Sequence, residues 1–131
     1  MSGKVGIWQP TGEVRLDAGK LRHFASLMSV VEGDDLTGIF SANELANEAA
    51  LMTLDADAWN VANSLTDSEI IALVRFFTLA EMQFADWVGG KRSPVVYLVR
   101  ILKRRDKFSP ELRKWIKANT DNRYLPYGSV L

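Results

Sequence analysis

Basic side chains recur along the last third of the sequence, in two segments that each begin with Ser-Pro. The segments start at Ser93-Pro94 and Ser109-Pro110, and proline at this place marks the first turn of a helix. Helical periodicity puts their apolar residues on one face and their cations on the other. Arg, Lys and Asn are the side chains that contact phosphates and base edges. The residues that we assign to a nucleic-acid or partner-binding face are Arg100, Arg104, Arg113, Lys114, Lys117, Asn119, Arg123 and Tyr124.

The spacing of these two segments suits a helix-turn-helix. Residues 94–105 and 110–119 are joined by residues 106–109, and the second helix would present its cations outward. The turn lacks the usual glycine, and the rest of the chain is acidic. Both observations argue against DNA binding. From the residue types and the spacing we nevertheless predict a basic helical hairpin over residues 94–119 that binds nucleic acid or another polyanion.

Charge is divided unevenly along a chain whose net charge is zero. Residues 1–90 hold 5 Lys or Arg against 13 acids, a net charge of −8, whereas residues 91–131 hold 11 against 3, a net charge of +8. Such a division indicates contact of the basic part with nucleic acid or an acidic protein. The alternative is that the two halves attract each other, within one fold or between copies in a homodimer or other homo-oligomer.

Glu81 is the one charge that helical periodicity places on an apolar face. It falls between Phe77 and Val74 on the predicted central helix. A buried carboxylate is costly unless it is paired or its pKa is raised. We expect a Lys or Arg from the basic helices to pair with it. The alternatives are a rim position that reaches water and a role as a functional acid.

Enzyme motifs are missing from the sequence. There is no cysteine and a single histidine, His23, which cannot build a His-rich metal site. Glu44 and Glu48 are four residues apart, a spacing typical of a solvated helix face. We predict no catalytic, cofactor-binding or metal-binding residue, and no cofactor. A small enzyme with a site built from distant residues is the third alternative, after a protein-interaction module.

That interaction module would use the tail, residues 123–131, because its Arg and Tyr are types enriched at interface hot spots. The tail contains Pro126 and Gly128, so it is expected to be extended and to pack back on the helices. The chain shows no secretory signal and no apolar run of about 18 residues. These features predict a cytoplasmic protein without membrane contact.

The periodicity predicts an all-α single domain over residues 1–131, with about five helices around a central buried helix at about residues 66–88. The first helix is expected to begin after Asp17 and to run to about Glu32. Ser41 with Glu44 is expected to form a capping box at the start of the second helix, and Thr66 with Glu69 at the start of the central one. The second helix either continues to Ser64 or breaks near residues 55–57. Residues 1–16 are expected to form an arm, irregular or folded as a short hairpin, that docks on the helices.

Overall fold

Five α-helices and three 3₁₀ helices make up the part of the protein that the computed structural model describes, residues 16–31 and 33–120. The α-helices are α1 (Ala18–Leu27), α2 (Ala42–Glu48), α3 (Asp67–Gln83), α4 (Pro94–Arg104) and α5 (Pro110–Asn119). The 3₁₀ helices are Ala49–Thr53, Ala56–Ser64 and Gly90–Arg92. These ranges contain no strand, and the all-α prediction is confirmed. The predicted tail, and the predicted arm apart from Leu16, lie outside the described residues.

Local hydrogen bonds at the helix starts follow the predicted caps. The Asp17 carboxylate accepts from the backbone N–H of Lys20 at 2.8 Å. Ser41 with Glu44, and Thr66 with Glu69, each form both hydrogen bonds of a capping box. These predictions are confirmed because each cap depends on residues that are close in sequence.

None of the helices in the described ranges is long and apolar enough to cross a membrane.

Helix α1 ends five residues before the predicted end at Glu32. The backbone N–H groups of Ser29 and Val30 donate to carbonyls three residues back, at 3.2 and 3.1 Å. The hydroxyls of Ser26 and Ser29 also donate to carbonyls three residues back. Serine hydroxyls that bond the backbone in this way compete with helical hydrogen bonds. The apolar spacing therefore continues for one more turn, but the α-helix does not.

The second predicted helix divides into three pieces. Helix α2 ends at Glu48, and the two 3₁₀ helices that follow are separated at Leu54 and Asp55, whose backbones are extended. The predicted break near residues 55–57 is confirmed, and the predicted continuous helix to Ser64 is wrong. Leu51, Met52 and Trp59 are fully buried in these short pieces. The tighter 3₁₀ winding turns these side chains toward the core within a short length of chain.

Helix α3 also ends early, at Gln83 instead of Val88. Phe84 leaves the helix with an extended backbone, and Trp87 lies in the following turn with its indole N–H donating to the carbonyl of Leu45 at 3.0 Å. The Gln83 amide donates to the carbonyl of Asp34 at 2.7 Å. These long-range hydrogen bonds hold the chain in a turn where the apolar periodicity predicts more helix.

The core is built around the aromatic side chains of α3. Phe76 stacks on Phe24 with ring centroids 5.2 Å apart, and Phe77 meets the ring of Trp59 edge-on at 5.5 Å. Both α3 rings are fully buried, as is Thr78, which the helical wheel places on the polar side. The Thr78 hydroxyl donates a hydrogen bond to the carbonyl of Val74 at 2.7 Å. The central helix is therefore buried even more widely than its sequence predicts.

Gly89 lies where the turn after α3 meets the start of α4. A Cβ atom at this position would lie 2.7 Å from the Cα of Ser93 and 3.0 Å from the carbonyl oxygen of Met52. Both neighbours are backbone atoms, so they have little freedom to move aside. The glycine is required here for close packing of three chain segments.

Replacement of Gly89 by alanine is expected to lower the free energy of unfolding by about 1–3 kcal/mol, the usual cost of overpacking a core. Urea unfolding followed by circular dichroism measures the change. The neighbouring Val88→Ala variant is the control, because Val88 is 65% exposed and its truncation should change stability by less than about 0.5 kcal/mol. Equal stabilities of the two variants would contradict the packing role of Gly89.

Candidate polyanion-binding surface

Both helices of the predicted basic hairpin are present, as α4 and α5, and a short turn joins them. The hydroxyls of Ser93 and Ser109 accept hydrogen bonds from Val95 and Leu112, so both Ser-Pro sequences start helices as predicted. The apolar face of α4 is buried along its whole length, and α5 buries Leu112 and Ile116. Burial of these faces leaves the cations of both helices on the opposite side.

A Schellman motif ends α4 without glycine. The backbone N–H of Lys107 donates to the carbonyl of Leu102 at 2.8 Å, and that of Asp106 donates to Lys103 at 3.1 Å. Asp106 has φ 58°, the left-handed conformation in which glycine is usual. Aspartate tolerates this conformation better than most residues. The missing glycine therefore does not prevent a tight turn between the helices.

Six exposed cations form what we call the basic surface: Arg100, Lys103, Arg104, Arg113, Lys114 and Lys117. Five of these cations line two clefts, and the sixth, Lys103, contacts an aromatic ring of the second cleft. Arg100 and Arg104 line a cleft against the 3₁₀ helix Ala56–Ser64. A second cleft, of about 320 Å³, is lined by the three cations of α5 together with Phe108. Lys103 lies between them, with its ammonium group 5.8 Å from the ring centroid of Phe108.

The pKa of Lys103 is lowered by burial and by the neighbouring cations. Partial burial lowers the pKa of Lys103 below its ordinary value, and the positive charges of Arg113 and Arg100 lower it further. The two arginines belong to α5 and α4. The surface therefore concentrates positive charge from two helices at one place.

Acidic residues do little to neutralise this surface. Two ion pairs in the described ranges join the basic part of the chain to the acidic part, Arg105 with Asp67 at 2.9 Å and Arg92 with Asp55 at 3.9 Å. Within the same ranges, none of the six cations of the basic surface forms an ion pair with an acid. Attraction between the two halves accounts for Arg92 and Arg105, but not for the basic surface.

Arg105 is a structural residue, although it belongs to the same basic run. Its guanidinium donates to the carbonyls of Leu65 and Asn63 and to the carboxylate of Asp67, at 2.9–3.0 Å. These contacts fasten the end of α4 to the start of α3. The sequence shows Arg104 and Arg105 as neighbours of the same type, and only the fold separates their roles.

The other predicted site residues have varied surroundings. Asn119 is half-buried and its amide donates to the carbonyl of Trp115 at 2.8 Å, so that amide group is already engaged. The Arg104 guanidinium donates to the side chain of Asn63 at 3.1 Å and stays exposed. Arg123 and Tyr124 lie outside the described residues. Tyr97 and Asn60, which sequence reasoning did not select, lie in the cleft with Arg100.

Glu81 is half-buried on α3 and accepts a short hydrogen bond from the hydroxyl of Ser93. The same hydroxyl accepts from the backbone N–H of Val95. The carboxylate is thereby connected to the N-terminal cap of α4, the helix that carries the basic surface. This contact joins α3 to α4 close to Gly89.

Other residues considered for chemistry have structural surroundings. Glu44 belongs to the cap of α2, and Glu48 pairs with Lys20 at 2.8 Å. His23 is exposed, with its ring 6.1 Å from that of Phe24. The described residues contain no group of three or more His, Cys, Asp or Glu that could hold a metal ion. Glu44 therefore stabilises the start of α2, and Glu48 links α2 to α1.

No protein-family model matches the chain, and no curated protein or solved structure matches it either. The residues of the chain itself are therefore what indicates its function.

We expect Arg105→Gln to lower the free energy of unfolding by about 1–3 kcal/mol, because two carbonyls and a carboxylate lose a charged donor. The matched variant is Arg104→Gln, next to it in the sequence but exposed, with an expected change of less than about 0.5 kcal/mol. Chemical denaturation of both variants measures the difference. A larger loss in Arg104→Gln would refute the division of roles.

Removal of the Arg113 charge is expected to raise the pKa of Lys103 toward its ordinary value. The measurement is an NMR titration of the Lys103 side-chain Cε–Hε signals in the native protein and in Arg113→Gln, with Lys114→Gln as the control. A lowered lysine pKa means that the folded state releases its proton at a lower pH than the unfolded state. Stability should therefore rise with pH between the two pKa values, and Arg113→Gln should weaken this rise.

Proposed function

We propose that this protein is a non-enzymatic binding protein whose basic surface binds nucleic acid or another polyanion. The observation that carries the proposal is the basic surface itself: six exposed cations from α4 and α5, none in an ion pair with a described acid. An isolated exposed lysine or arginine is ordinary. Cations that two helices bring together repel one another, and a bound polyanion would reduce this repulsion.

Electrostatic physics favours a polymer of phosphates, or of similar anions, over a single small anion. Each phosphate that a cation neutralises releases a condensed counterion, and this release drives association. The cations extend from the cleft of Arg100 and Arg104 to the second cleft along α5. An extended partner would contact both ends at once, whereas a small anion would reach only one.

The acidic part of the chain does not prevent this binding. Three of its arginine and lysine side chains, Lys20, Arg22 and Arg75, pair with Glu48, Glu69 and Asp34. These three cations outside the hairpin are thus partly neutralised by neighbouring acids. The remaining acids would repel a polyanion and so favour its approach to the side that carries α4 and α5.

The proposal predicts salt-dependent binding that depends on the basic surface. Fluorescence anisotropy with a labelled oligonucleotide of about 20 nucleotides should show affinity that falls steeply between about 50 and 200 mM salt. The triple variant Arg100→Gln, Arg113→Gln, Lys117→Gln should reduce the slope of log K against log salt by about 2–3. Heparin should compete for the same surface.

A matched triple variant separates position from net charge. Arg22→Gln, Arg75→Gln and Arg92→Gln remove the same charge from three arginines that are already ion-paired, and should leave the slope nearly unchanged. In addition, Asp106→Gly should strengthen binding, since it removes an acid from the hairpin at a left-handed position that glycine accepts. Absence of binding at low salt, or equal losses in both triple variants, would refute the proposal.

A further inference from the structure

The cleft between the 3₁₀ helix Ala56–Ser64 and α4 combines aromatic and polar groups beside the basic surface. It holds about 100 Å³, and its functional lining consists of Trp59, Asn60, Asn63, Tyr97, Arg100 and Arg104. We infer that this cleft receives an unpaired base of a single-stranded nucleic acid. The inference rests on the proposed function and narrows its ligand class.

Stacking groups are already assembled in the cleft. The rings of Trp59 and Tyr97 lie nearly parallel, 26° apart, with centroids separated by 6.4 Å. The guanidinium carbon of Arg100 lies 5.8 Å from the centroid of the Tyr97 ring. Trp59 is 1% exposed, whereas Tyr97 is half-buried and keeps part of its surface open. Aromatic rings and arginine planes are the surfaces on which unpaired bases stack.

Hydrogen-bonding groups in the cleft divide into fixed and available ones. Asn63 accepts from Arg104 at 3.1 Å and donates to the carbonyl of Asn60 at 3.1 Å, so its amide is held in place. The exposed Asn60 side chain forms no hydrogen bond within the described ranges. Since 3₁₀ side chains three residues apart eclipse each other, both amides lie along one edge. That edge can contact a base from one side.

Trp59 adds a buried donor to this set. Its indole N–H has no hydrogen-bond partner among the described residues, although the side chain is almost fully buried. Buried donors in proteins nearly always have an acceptor, supplied by protein, water or ligand. Trp59 is among the residues that line the cleft, together with two arginines and two asparagines. A water or ligand group that reached the indole N–H would supply the missing acceptor.

Duplex DNA fits this cleft poorly. Bases in a duplex are stacked inside the helix, and their edges are reached by elements that project into a groove. Helix α5, which would be the recognition helix if the two basic helices formed a helix-turn-helix, has its only amide side chain, Asn119, engaged with the carbonyl of Trp115. The aromatic and amide groups lie instead beside α4. Arg100 and Arg104 belong to both the cleft and the basic surface, so phosphates beside an inserted base would meet the cations.

The test compares three probes of equal length: a single-stranded oligonucleotide, the same strand with abasic sites throughout, which keeps its phosphates, and the duplex, which has a higher charge density. Anisotropy at one low salt concentration should show the single strand binding about tenfold more tightly than the abasic strand. The duplex should bind less tightly than the single strand, although its charge density is higher. Heparin serves as a polyanion without bases.

A pair of variants at Tyr97 isolates stacking from charge and folding. Tyr97→Leu keeps an apolar side chain against Trp59 but removes the ring, and should reduce single-strand affinity about tenfold while leaving heparin affinity unchanged. Tyr97→Phe keeps the ring and should bind like the native protein. Asn60→Ala, at an exposed position, should weaken the single strand and leave the abasic strand unaffected.

The outcomes separate this inference from the proposed function. If abasic strand, duplex and single strand bind equally, or if Tyr97→Leu matches Tyr97→Phe, the base-binding cleft is refuted while polyanion binding stands. If neither the oligonucleotides nor heparin bind, both fail. A loss of heparin affinity in Tyr97→Leu would show that the variant disturbs the basic surface, and would also count against a stacking role.

Discussion

Phe76 and Phe77 are adjacent on α3 and therefore point about 100° apart, yet both are fully buried. Burial of two neighbouring rings requires neighbours on two sides of the helix. Phe24 of α1 and the ring of Trp87 contact Phe76, while Trp59 contacts Phe77 from another direction. The other helices are arranged around this requirement, and the turn after α3 bends to bring Trp87 into place.

The same packing explains why the cations converge. Helices α4 and α5 both contact α3, and each has one apolar face to bury there. Their charged faces must then lie away from α3, and Lys103 of α4 lies close enough to Arg113 of α5 for the two charges to interact. Arg105 is the exception, because the end of α4 brings its guanidinium to the start of α3, where two carbonyls and Asp67 accept its hydrogen bonds. The basic surface is in this sense a consequence of how the core is filled.

The proposed function depends on the side chains that the core leaves at the surface. The 3₁₀ helix Ala56–Ser64 buries Trp59 against Phe77 and holds its two asparagines along the edge facing α4. A cleft with ring, guanidinium and amide groups thus lies beside a surface of positive charge that no described acid pairs with. In the proposed function, the charge would attract phosphates at any sequence, and the cleft would supply contacts that depend on an accessible base. The proposal of a single-stranded ligand depends on both elements together.

The sequence by itself determined the features that depend on neighbours a few residues apart. The caps at Asp17, Ser41 and Thr66 and the two Ser-Pro starts are confirmed, because a cap is a hydrogen bond within one turn. The all-α class follows from the same local periodicity.

Only the tertiary structure decided where helices end and what each polar side chain contacts. Helix α3 stops at Gln83 because that side chain bonds Asp34 and because Trp87 bonds Leu45, contacts separated by more than forty residues. Asn119 is engaged, Arg105 is structural and Tyr97 borders a cleft, although the sequence gives these residues no distinguishing pattern. Periodicity reports which way a side chain faces on its own helix. It carries no information about the atoms that another segment brings to meet it.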